Sequence, residues 1–106
     1  MAKYLLIASY SSDGIKGVMK TGGTARSDAV REAVQSLGGT LESFHFGFGA
    51  DDAYVIAEMP DNIAAAAIAM AVSATGLAAA RVVVLLTPAE VDEAAKRQVV
   101  YTPPGA

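Results

Sequence analysis

Acid–base chemistry has few side chains to draw on in this chain of 106 residues: one histidine, four tyrosines and eleven carboxylates. His45 stands first, because imidazole is the one side chain that titrates near neutrality without help from its surroundings. It lies within residues 40–48, which alternate strictly. Glu42, Phe44, Phe46 and Phe48 fall on one face of a strand, and Leu41, Ser43, His45 and Gly47 on the other. With the phenylalanines turned toward a helical layer, His45 and Ser43 look out of the opposite face. Parity along the other strands sends Tyr4, Tyr10, Tyr54, Glu58 and Arg81 to that same side. These seven residues outline a partly apolar space furnished with an imidazole, a carboxylate, a guanidinium and phenols. Such a set suits the binding of a small molecule and, with His45 as the catalytic group, the movement of a proton on it. The same side chains also fit a protein interface in which Glu58 pairs with Arg81, and nothing in their spacing demands a catalyst.

Other patterns carry less chemistry. Asp51 and Asp52 are adjacent, and neighbours on a turn point apart, so they read as turn formers and not as an acid–base pair. Gly47-Phe-Gly49 begins like a dinucleotide fingerprint but lacks the third glycine and leads into a strand. Gly17-Val-Met-Lys20-Thr21 lacks the glycines of a phosphate loop. Lys16, Lys20 and Arg26, in the glycine-rich residues 11–26, could meet an anion at a helix start, although solvation of a loop accounts for them equally well. The absence of cysteine excludes disulfides, thiolate catalysis and thiolate metal sites, and a single histidine excludes a multi-histidine zinc site. His45 could ligate a haem iron, but no other residue argues for haem. No cofactor and no metal are expected.

The positioning elements follow from periodicity and punctuation. Residues 3–10 form a near-continuous apolar run ended by Ser11-Ser12-Asp13-Gly14, the first strand. Asp13 can cap a short turn carrying Ile15, Val18 and Met19 before Gly22-Gly23 breaks it. Residues 24–37 place Val30, Val34 and Leu37 at helical spacing, with Gly38-Gly39 as the stop. The alternating stretch 40–48, a turn at residues 49–52 and the apolar residues 53–59 make a hairpin. Pro60-Asp61-Asn62 starts a small-residue helix over 63–75, closed by Gly76. Residues 77–87 hold the fourth strand, and Pro88 opens a short charged helix over 89–97. The order β-α-β-β-α-β predicts an α+β ferredoxin-like two-layer sandwich, an antiparallel sheet with its helices on one face. One domain spans residues 1–97, and residues 98–106 form an extended tail whose prolines forbid helix.

In this plan helices cover one sheet face only, so strands should alternate apolar with polar residues. Strands one, three and four do not. Leu5 and Ile7 are expected to face the helices, leaving Tyr4, Leu6, Ala8 and Tyr10 outside. Val55 and Ala57 leave Tyr54 and Ile56 outside, and Val82, Val84 and Leu86 leave Val83 and Leu85 outside. A patch of that kind exceeds what monomers expose, and a hydrophobic fraction of 53% with only 18% charged residues agrees. The face is therefore expected to pair with a second copy, most simply as an isologous dimer packed sheet to sheet. A net charge of -3 and scattered basic residues argue against nucleic acid. Residues 63–80 carry no charge but are mostly alanine, interrupted by Ser73, Thr75 and Gly76, which suits a buried helix and strand better than a membrane span. A soluble, cytoplasmic protein is expected.

Gly14-Ile-Lys16, Arg26, Leu37-Gly-Gly39, Gly49-x-x-Asp52 and Glu58-Met-Pro-Asp61 resemble the GYD domain proteins in order and approximate spacing, over residues 3 to about 92. The family is named for a Gly-Tyr-Asp signature after the second strand. By this resemblance Asp52 keeps the acid, while Asp51 stands near where the tyrosine would fall and Tyr54 could substitute from the strand. The resemblance implies a ferredoxin-like fold related to dimeric α/β barrels and does not imply an activity. Relatives of that barrel fold include haem-degrading and quinol-type monooxygenases, cyclases and decarboxylases, and fold likeness does not choose among them. The leading expectation is a dimeric protein that binds a small molecule between the sheets. A cofactor-independent monooxygenase or isomerase using His45, and an assembly unit without chemistry, are the alternatives.

Overall fold

The computed structural model describes residues Met1–Ala106. Its elements run β1 (Ala2–Tyr10), α1 (Ser12–Thr21), α2 (Gly23–Ser36), β2 (Thr40–Phe46), β3 (Ala53–Met59), α3 (Asn62–Ala74), β4 (Ala78–Leu85) and α4 (Pro88–Ala95). Three helix starts are fixed by side-chain caps. The Ser11 hydroxyl accepts the Gly14 N–H at 3.1 Å, and Asp61 accepts the Ala64 N–H at 2.9 Å. Thr87 and Glu90 form a reciprocal capping box around Pro88. Each such cap is worth about 1 kcal/mol.

The strands form one antiparallel sheet in the order β2-β3-β1-β4. With α2 and α3 packed on one face, this is the ferredoxin-like sandwich, with α1 added to the first crossover and α4 appended after β4. The core lies between Tyr4 and Leu6 of β1, Val55, Ala57 and Met59 of β3, Val34 of α2, and Ala65 and Ile68 of α3. Val34, Ala57 and Met59 lose all contact with solvent. Burial on that scale contributes about 1.5–3 kcal/mol for each large side chain.

The phase of β1 is opposite to the expectation. Tyr4 and Leu6 stand beside Ala57 and Val55 and face the helices, whereas Leu5 and Ile7 stand beside Ile56 and Tyr54 on the open face. Two groups set that phase. The buried Tyr4 hydroxyl donates to Asn62 Oδ1 at 2.6 Å, at the first residue of α3, and Lys3 on the other parity bonds Glu42 at 3.1 Å. The inward assignments of Val55, Ala57 and Val82 match the packing. So do the outward ones of Tyr54, Ile56, Val83 and Leu85, which share the face of Leu5 and Ile7 by register.

Two more differences concern local geometry. Alternation along β2 is broken by a bulge between Leu41 and Ser43, which returns Leu41 to the helical side and leaves Glu42 free to reach Lys3. Phe44 packs on the core, while Phe48 lies beyond the strand end at φ 53° with its ring stacked on Phe46 at 5.4 Å. The expected short turn at 12–21 is a ten-residue helix capped by Ser11 and not by Asp13, which instead lies in its first turn. Gly14 explains its seat: a Cβ there would run into the Leu77 carbonyl, so only glycine lets α1 lie so close to the start of β4.

Candidate functional site

Two regions bring polar side chains together beside apolar surface. The first is the open face of the sheet. His45 on the edge strand β2 pairs in register with Tyr54 on β3, and Ser43 pairs with Ile56. Glu58 stands across from Lys3 on one side and Thr40 on the other. His45 and Tyr54 are exposed, and cross-strand partners hold their Cβ atoms roughly 5 Å apart, so imidazole and phenol are neighbours. Beside this polar strip runs an apolar field of Leu5, Ile7, Ile56, Val83 and Leu85.

Arg81 borders the same face but pairs with Asp51, at 2.9 Å, and not with Glu58. Asp51 also accepts the Ser9 hydroxyl at 2.9 Å. These two hydrogen bonds, Ser9 first and Arg81 second, hold the Asp51 carboxyl below its ordinary range against an opposing push from desolvation. Asp52 turns the other way. Its carboxylate accepts the Tyr10 N–H at 2.7 Å, its own N–H donates to the Ala8 carbonyl at 2.9 Å, and its carbonyl accepts the Gly47 N–H at 2.8 Å. The two acids do point apart, but each has a specific partner set that ties the β2–β3 turn to β1.

The second region is a cavity of about 430 Å³ on the helical side, between α1, α2, α3 and the β1–β4 end of the sheet. Its apolar wall includes Val18, Ala33, Ile68, Val72 and Ala78. Arg26, Tyr10, Asp13, Thr21 and Thr75 supply its polar groups. Arg26 Nε donates to the Tyr10 hydroxyl at 3.2 Å, and the guanidinium carbon lies 5.7 Å from the centre of that ring.

The residues expected at one site are thus divided. Ser43, His45, Tyr54, Glu58 and Arg81 share the open face. Tyr4 and Tyr10 do not, because the phase of β1 turns both to the helices: Tyr4 is spent on the core and Tyr10 lines the cavity. No three histidine, aspartate or glutamate side chains converge to hold a metal ion, and no helix is long and apolar enough to cross a membrane. The role of Ser9 and Asp51 in holding Arg81 was not visible in the sequence, since it joins β1, β4 and the β2–β3 turn. Arg26 carried a trace of a signal, as a cation in a glycine-rich stretch.

A family model for the GYD domain matches residues 4–95. The chain belongs to the GYD domain family. Comparison with curated proteins and with solved structures finds no match. In this GYD domain the acid at position 52 has a structural task, closing the end of β1 through the Tyr10 backbone. Asp51 orients Arg81 on the open face.

Proposed function

We propose that this GYD domain protein is a homodimer closed by its open sheet faces, and that it binds a small, partly aromatic molecule between the two sheets. The observation that carries the reading is the apolar field of Leu5, Ile56, Val83 and Leu85 beside Tyr54. Val83 and Tyr54 are exposed, Leu5, Ile56 and Leu85 half-exposed around a buried Ile7, and residues 86–106, exposed throughout, do not pack over them. Its bordering cations are paired within the face, Lys3 with Glu42 and Arg81 with Asp51, so a second copy can approach without stranding them against it. Sheets pack about 10 Å apart, and short side chains such as Thr40 and Ser43 then leave room beside His45 and Tyr54 for a ligand. Phenol or imidazole at that row offers hydrogen bonds and an aromatic face to the guest.

Sedimentation at micromolar concentration tests the dimer: the wild type should run as two copies and Ile56→Asp as one. His45 is the chain's sole histidine, so its ring protons form a private reporter in NMR spectra. Titration with phenol should move them in the wild type and leave them still in Ile56→Asp. A folded wild-type monomer would defeat the reading. The cross-strand His45–Tyr54 pair favours one second reading, an enzyme that moves a proton without a cofactor. In that case a turned-over substrate should still bind His45→Ala but no longer react.

A further inference from the structure

We infer that the helical-side cavity is a second binding site, for a small amphipathic carboxylate whose head group is held by Arg26. The wall is apolar across three helices, and the volume of about 430 Å³ falls in the range that accepts small organic ligands. Arg26 is the one cation on that wall, half-buried, and no carboxylate of the chain pairs with it. Its Nε is engaged by the Tyr10 hydroxyl, which orients the guanidinium and leaves both terminal nitrogens without a partner in the protein. A planar fork with free donors matches a carboxylate in two parallel hydrogen bonds. Asp13 on the same wall repels a dianionic phosphate about twice as strongly as a guest with a single negative charge, which favours the monocarboxylate among anions. A guest with an apolar body and one carboxylate fits both halves of the wall. The cavity opens on the side of the sheet away from the proposed dimer contact, so the site stands independently of that contact.

Octanoate serves as the probe, with octan-1-ol as its neutral counterpart, and calorimetry on the full chain as the readout. Octanoate should bind the wild type more tightly than octan-1-ol. Arg26→Ala should weaken octanoate about tenfold to a hundredfold and leave octan-1-ol unchanged, with partial recovery in Arg26→Lys. Gly17 provides a control that does not threaten folding. It lies on the cavity wall within α1, a Cβ there meets no atom within 4 Å, and leucine favours helix over glycine. Gly17→Leu should therefore abolish octanoate binding while the melting temperature holds or rises. The inference is overturned if octanoate does not bind, if octan-1-ol binds as well as octanoate, or if either substitution leaves octanoate affinity unchanged. Sedimentation of the same variants as dimers keeps this outcome separate from the test of the open face.

Discussion

The two faces of the sheet are built from the same strands and differ in how their polar groups are satisfied. On the helical face, polar atoms are few and bonded at long range, as when the Tyr4 hydroxyl reaches Asn62, and the apolar side chains close into a core. On the open face, Lys3 and Arg81 pair along the borders, and the apolar side chains between them, Val83 and Tyr54 above all, reach the surface. One face closes into a core within a single chain, and the other leaves apolar side chains at the surface, where the proposed dimer would cover them. Stability and association should therefore respond to different substitutions.

The largest effect belongs to the helical face. Met59→Ala should cost about 2–5 kcal/mol in urea unfolding, because a fully buried side chain leaves a cavity behind it. Gly39→Ala should cost about 1–3 kcal/mol by the opposite fault, since its Cβ would meet Glu58 O at 2.5 Å and Met59 Sδ at 2.7 Å. On the open face, Leu85→Asp should weaken dimerisation by about a hundredfold in sedimentation, with chemical unfolding of the isolated chain little changed. If Leu85→Asp instead unfolds the chain as Met59→Ala does, the two faces are not distinct.

Smaller changes sharpen the contrast. Tyr4→Phe should lose about 1 kcal/mol through its buried hydrogen bond, whereas Tyr54→Phe, exposed, should leave the melting temperature unchanged. Acid provides the smallest and most local test. Asp51 has its folded-state value depressed, so its contribution is present above the unfolded value of about 3.9 and is lost as pH falls through the lowered folded value. Below about pH 4 the wild type should therefore lose stability more steeply than Asp51→Asn, and Arg81→Ala should fall between them.

Much of the fold was legible because its signals are local. The Asp61 cap and Pro88 marked α3 and α4, the β2–β3 hairpin had turn residues and alternation, and the strand order followed from the element sequence. The phase of β1 was not legible, because residues 3–10 are apolar on both sides and carry no period-two signal. It is decided by Asn62 and Glu42, distant in sequence from Tyr4 and Lys3. That one phase moved Tyr4 and Tyr10 out of the expected site and brought Tyr10 beside Arg26. Two glycines, Gly14 and Gly17, likewise hid α1, because glycine is a poor helix former and the close approach of Gly14 to Leu77 is a long-range contact.

That contact bears on the order in which the molecule comes together. Leu77 O receives both the N–H and the hydroxyl of Ser11, across a separation of 66 residues, and Gly14 packs against the same carbonyl. Closing so long a loop is entropically slow and must await the arrival of α3 and β4. The first helix in the chain thus completes its seat only once β4 has paired with β1, and the wall it gives to the cavity is complete only then.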